Sequence, residues 1–256
     1  MVKQRLDFES IAQTADFAAP LTKGGDWSGN AVGNLTRAEA IDLAHRGDDS
    51  FAREAEKLLE QMTLPESMGR VWDRSPSGAY VVVPEFLAGM PDPMRRKRKA
   101  PVANKPVRIW VDTSLSAGIS RETFTKRGVA IMALIMRLHS TRPIDVMAYS
   151  LAKHYDGAHY LVTTRIESSP LDLALAGFVL AHPAYERHLI HSIFKTHFGQ
   201  SLFQLCPVPT ARPDLIGAAD GDIVIAGSHS GDQGMISDPL AWVNRMVNEA
   251  NGTSAS

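Results

Sequence analysis

A single cysteine, Cys206, stands among 256 residues. An intrachain disulfide is therefore excluded, no thiolate metal cluster can form, and a reducing, cytoplasmic compartment is expected. Set between apolar residues, Cys206 reads as core. Long apolar runs are missing too. None reaches the roughly eighteen residues that cross a bilayer, and the opening residues 1–7 lack the apolar centre of a secretory signal. No membrane partner is expected. Neither sign of charge is in excess: 27 Lys and Arg face 28 Asp and Glu, a formal −1 that argues neither for nor against nucleic acid. A glycine-rich Walker loop and a Gly-x-Ser-x-Gly elbow are both absent, which sets aside an ATPase and weakens a serine hydrolase. No internal repeat is present.

What is present changes character near residue 107. Residues 1–35 read as mixed and loop-like, with Trp27 in the turn cluster 24–29 as an anchor on the core. Thr36 and Glu39 form a capping box that opens a helix over 37–46. A second helix, 49–62, carries Phe51, Ala55, Leu58, Leu59 and Met62 on one face. A strand over 79–83 stops at Pro84, and 85–94 is a turn-rich connector. Arg95, Arg96, Lys97, Arg98 and Lys99 are the only strong charge run; Pro101 and Pro106 make 95–106 an extended basic linker. Residues 1–106 are thus expected to be an N-terminal, largely helical extension.

From Val107 the pattern is α/β. A strand over 107–111 breaks at Asp112 into a polar loop that closes on Gly118, and Ser120 caps a helix over 121–139. Residues 129–136 of that helix are apolar all round, as in a helix buried beside a sheet. Strands follow over 144–149 and 159–166. Ser169 and Pro170 open a helix that His182 and Pro183 break, and another helix spans 184–197. Residues 203–206 are ambiguous and 207–219 irregular. A last strand, 222–226, leads into a Gly- and Ser-rich loop, Asp238 caps a helix over 239–250, and 251–256 reads as a disordered tail. The order predicts an α/β domain over 107–250: a mostly parallel sheet with helices on both faces. If the strands 107–111 and 222–226 are parallel, both polar loops share one edge, where such sheets bind ligands.

Asp112, Ser114 and Ser116 put one carboxylate and two hydroxyls at alternating positions, a set of hard oxygen ligands suited to Mg²⁺. Motif and setting resemble the metal-ion-dependent adhesion site of von Willebrand factor A domains, over about 107–250. That resemblance implies a non-enzymatic adaptor that recruits a protein partner, with Mg²⁺ completing its coordination on the partner's carboxylate. It also implies a threonine from a second loop and a later aspartate. Thr163, Thr164 or Asp172 stands in for the first and Asp232 for the second, although the last strand is not followed by an immediate Asp-Gly. The alternative reading of the Asp112 loop is a turn and cap.

A second resemblance covers most of 83–183. Residues 83–94, 127–134 and 170–183 are similar to a group of tailed-bacteriophage proteins, which implies a role in phage transcription or replication within the host cytoplasm. The alternative function is then a single-stranded-DNA-binding factor that recruits a phage RNA polymerase, using the basic run 95–99 on phosphates. No aromatic interleaves that run in the sequence, so a stacking platform is not expected there. A serine hydrolase using Ser114 or Ser116 with His229 is a further alternative. His182, His188, His191 and His197 lack a zincin spacing and read as core or surface residues, and Trp110 as buried in its strand.

Overall fold

The computed structural model describes residues 2–21, 29–61, 68–77, 80–101, 106–115, 118–168, 170–200, 205–208, 211–227 and 233–250, with the backbone course alone for 30, 68–73, 80, 97–101, 205 and 233. In chain order it runs β1 (Val2–Phe8), α1 (Ile11–Ala18), α2 (Arg37–Arg46), α3 (Asp49–Glu60), β2 (Met68–Ser75), β3 (Tyr80–Val81), α4 (Val83–Leu87) and β4 (Met94–Pro101). Then come β5 (Val107–Asp112), α5 (Arg121–His139), β6 (Ile144–His154), β7 (His159–Ile166) and α6 (Leu173–Ala181). Two π-helical stretches, Tyr185–Ile190 and Ile193–His197, precede β8 (Leu205–Pro207), α7 (Pro213–Ile216), β9 (Ile223–Ile225), α8 (Gln233–Ser237) and α9 (Pro239–Ala250).

These elements form two compact units, residues 1–62 with 106–256, and residues 63–105. The expected boundary near 106 is corrected accordingly. The first sixty residues are no separate extension: β1 pairs in parallel with β7 as the edge of the main sheet. Four of its seven side chains are polar and only Phe8 is buried, so it carries little strand signal. Residues 11–18 of the same stretch form α1, capped by Ser10.

The main sheet has the order β1-β7-β6-β5-β9, and three of its five pairings are parallel. This is the expected α/β fold. One face of the strands is apolar: Ile109, Val111, Val146, Ala148, Val162 and Ile166 are buried under α1, α2, α3, α5, α6 and α9. The other face carries a smaller cluster of Trp110, Tyr149, Leu151 and Leu161, covered by Leu215 and Ile216 of α7. Burying such side chains contributes about 1.5–3 kcal/mol each. The capping box of Thr36 and Glu39 forms, as do the caps of Ser120 and Asp238. The cap of α6 moves from the expected Ser169 to Asp172, whose carboxylate accepts from the Leu175 amide. Helix α5 reaches α6 through Gly128, where a Cβ would stand 2.4 Å from the Leu180 carbonyl oxygen.

What positions the site is the unequal length of the strands. The eleven-residue β6 pairs with β5 over residues 144–149 and with β8 over 152–154. The chain leaving β5 at Asp112 therefore turns out of the sheet between two partners of the same strand.

The second unit is a three-stranded antiparallel sheet of order β2-β4-β3, with α4 between β3 and β4. The expected linker 95–106 is corrected for its first part, since 94–101 is the central strand β4. The expected strand 79–83 is shorter as well, because Pro84 sits in the first turn of a helix that begins at Val83.

Candidate functional site

Asp112, Thr113, Ser114 and Leu115 are all buried at the carboxyl end of β5. The chain turns there because the Ser114 amide donates to Asp112 Oδ1 at 2.8 Å, an Asx turn. The Thr113 amide continues the ladder to the Tyr149 carbonyl at 2.7 Å. Opposite the loop, Gly227 follows β9 so closely that a Cβ there would lie 2.8 Å from Ser114 Oγ and 3.0 Å from Asp112 Oδ2. The two polar loops thus share one edge, as the sequence predicts for parallel strands. Arg127 of α5, wholly buried, donates to the carbonyl of Asp112 at 3.0 Å and to that of Ala226, joining the ends of β5 and β9.

Burial pushes the Asp112 carboxyl up to about 7, against the opposing pull of Ser114, Arg127 and the Gly227 amide. Tyr149 Oη is buried with no hydrogen-bond partner among the described residues, while Ser114 Oγ is buried beside the Asp112 carboxyl and pulls it down. Tyr149 is the register partner of Asp112 on β6, and its phenol is raised by burial and by the Asp112 charge.

A second buried carboxyl lies behind the loop. Glu186, in the first π-helical stretch, is raised to about 8, chiefly by burial. Ser150 Oγ donates to its Oε1 at 2.7 Å, and Thr113 Oγ1 lies 3.2 Å from its Oε2. Thr113 Oγ1 is also 3.2 Å from the Tyr149 carbonyl. One hydroxyl hydrogen cannot serve both acceptors, so the arrangement is complete when Glu186 is protonated and donates to Thr113. The imidazole of His191, 3.7 Å from Glu186, is kept neutral by burial, which lowers it to about 3. π-helical turns inside helices recur at functional sites.

The other expected metal ligands do not gather at Asp112. Thr163 lies in the same row as Asp112 but beyond Tyr149, two strands away, about 10 Å at the usual strand spacing. Its hydroxyl donates to Asp7 at 2.6 Å, while Thr164 is bonded to Thr14 at 2.9 Å and to Tyr185 at 2.8 Å. Asp172 caps α6, which follows β7; that strand leaves the sheet at Ile166, in the row of Val146 and Ile109 near the amino end of β5. These three assignments are corrected: each side chain already has a structural partner. Ser116, Asp232 and His229 lie outside the described residues, as does Trp27. Among the described residues no imidazole reaches Ser114 Oγ, and no cluster of three His, Cys, Asp or Glu is arranged to hold a metal.

The histidines serve the core. His182 stacks on Phe178 with ring centroids 5.7 Å apart, and its Nδ1 accepts from the Ala184 amide at 3.1 Å. His188 bonds the Leu35 carbonyl at 3.0 Å, and His197 packs edge-on against Phe17. Trp110 is buried as expected, donating to Asp222 at 2.9 Å. Cys206 is exposed, not core: it sits on β8, outside the two hydrophobic clusters. Of the basic run, Arg95 is tied to Glu85 of α4 at 2.8 Å, and Arg74 of β2 reaches the same carboxylate at 3.1 Å. Arg127, Glu186 and Gly227 are absent from the sequence-derived set. Arg127 had a weak signal, the last cation before the apolar run 128–136 of its helix.

Fold and site together define a class: an α/β body whose central parallel strand ends in a buried acidic loop, where the strand order switches between β6 and β9. The chain belongs to the family described as a domain of unknown function (DUF7192), which matches residues 3–249 and so both compact units. No curated protein and no solved structure matches it. No helix among the described residues is long and apolar enough to cross a membrane.

Proposed function

We propose that the chain is a non-enzymatic, von Willebrand A-like binding module that captures a protein partner at the carboxyl edge of its main sheet. The observation that carries this reading is the Asp112 loop itself. A carboxylate and the Ser114 hydroxyl, both buried, meet at the strand-order switch. The arrangement β7-β6-β5-β9, with β6 and β7 antiparallel and β5 followed by α5, supports the resemblance beyond the short motif.

Mg²⁺ fits the donor set, since Asp112 and Ser114 offer hard oxygens and Gly227 leaves the space beside them free of a side chain. Asp112 and Ser114 would hold the ion from this side of the loop. When bound, it would supply a positive charge for a partner's carboxylate. Arg127 already supplies part of that charge and holds the loop in shape.

The test is partner capture from the producing cells by the wild type and by Asp112→Ala, with and without a chelator. Circular dichroism checks that the variant folds. Loss of a specific partner on substitution and on chelation supports the reading; capture unchanged by both overturns it.

A further inference from the structure

The second unit carries the chain's concentrated positive charge. Residues 63–105 hold eight Arg and Lys against four Asp and Glu, a formal +4 in a chain whose total is −1. The register of its sheet decides where those charges lie. Arg70 pairs with Lys99, Trp72 with Lys97, and Arg74 with Arg95, while Tyr80 of β3 faces Arg95 from the other side. Directly opposed residues share a face of the pleat, and alternate residues along a strand share it too. Positions 70, 72, 74, 80, 95, 97 and 99 therefore fall on one face, and 71, 73, 96 and 98 on the other. The interleaving aromatics that the run 95–99 lacks in sequence arrive across the ladder, from β2 and β3.

We propose that the face formed by Arg70, Trp72, Arg74, Arg95, Lys97 and Lys99 binds single-stranded nucleic acid. A tryptophan position among cationic positions at every second residue matches what an unpaired strand offers, a π-face for stacking and phosphates on either side. The cations recur about every 6.8 Å along β4, close to the spacing of successive phosphates in an extended strand. Glu85 of α4 holds Arg74 and Arg95 at one end, so Arg70, Trp72, Lys97 and Lys99 carry most of the contact. A duplex buries the base faces that Trp72 needs. A membrane surface would favour apolar positions on this face, whereas five of its seven positions are cationic.

The site is independent of the Asp112 loop, and so is its test. Binding of the full chain to a labelled oligothymidylate is followed by fluorescence anisotropy at low and physiological salt. A duplex of equal length and anionic phosphatidylserine vesicles are the competitors. Two variants carry the same charge change on opposite faces: Lys97→Ala with Lys99→Ala, and Arg96→Ala with Arg98→Ala. The first should weaken oligonucleotide binding by about tenfold or more and flatten its salt dependence, and the second by less than about threefold. Trp72→Ala should weaken binding by about fivefold or more, with Trp72→Phe restoring most of it. Equal loss from both double variants, an unaffected Trp72→Ala, or preference for duplex or vesicles over the single strand would overturn the proposal.

Discussion

A Cβ placed on Gly227 would stand 2.8 Å from Ser114 Oγ, which joins the end of β9 to the loop after β5 without any side chain between them. That approach is closer than real Cβ contacts tolerate, and Ser114 is buried with little room to rotate away. Gly227→Ala should therefore lower stability by about 1–3 kcal/mol through overpacking. Urea unfolding monitored by tryptophan fluorescence checks it. A variant as stable as the wild type would show that the two loops part freely.

Arg127 is the second tie between these strands. Its guanidinium is wholly buried and answers the carbonyls of Asp112 and Ala226. Arg127→Met keeps most of the packing volume but leaves both carbonyls without this donor. A loss of about 3 kcal/mol is expected, in the range for removing one member of a buried charged network. Removing that positive charge also raises the Asp112 carboxyl further, which carbon-detected NMR titration of the side chain would record.

Stability should depend on pH in a definite window. Burial raises Glu186 from 4.5 to about 8 and Asp112 from 3.8 to about 7, so each binds more protons folded than unfolded and weakens the fold as pH rises. Burial lowers His191 from 6.5 to about 3 and His182 from 6.5 to about 4, which strengthens the fold as pH rises, but only up to about 6.5. Below that point the two effects oppose each other. Between about 6.5 and 8 only the carboxyls act, so stability should fall there, Glu186 alone contributing at most about 1.4 kcal/mol per pH unit. Glu186→Gln should remove most of the fall above about pH 7, its amide donating to Thr113 in place of the acid proton. An identical fall in the variant would contradict a protonated Glu186.

The packing of α5 on α6 has its own test. At Gly128 a Cβ would meet backbone, 2.4 Å from both Leu180 O and Ala181 Cα, and backbone cannot rotate aside. Gly128→Ala should cost about 3 kcal/mol or more, despite the gain in helix propensity of about 1 kcal/mol. A rise in melting temperature would mean that the helices stand further apart.

The sequence made the second half of the fold legible. Periodicity and caps over 107–250 predicted strands at 107–111, 144–149, 159–166 and 222–226, and each has its counterpart in the sheet. It was less informative where burial is one-sided or backbone alone decides. β1 is polar at most positions because it is an edge, and β2 hides behind the mixed residues Arg70, Val71, Trp72 and Asp73. At the site, Asp112 and Ser114 were visible because a strand-loop-helix change frames them. Their neighbours were not: Arg127, Gly227 and Glu186 reach the loop from elements 15 to 115 residues further along the chain. Thr163 and Thr164 showed the opposite failure, since correct residue types on a correct strand turned out to lie two strands from Asp112 and bonded elsewhere.

The most direct measurement is thermal unfolding of the full chain in millimolar Mg²⁺, for the wild type, Asp112→Asn and Ser114→Ala, at about pH 6 and about pH 8. A bound ion stabilises the folded state, and protons compete with it for a carboxyl raised to about 7. The wild type should therefore melt several degrees higher with Mg²⁺ at the higher pH, with a smaller rise at the lower pH. Both variants should lose most of that rise while remaining folded. A melting temperature that Mg²⁺ leaves unchanged at about pH 8, or raises equally in Asp112→Asn, would contradict a cation-holding Asp112 loop.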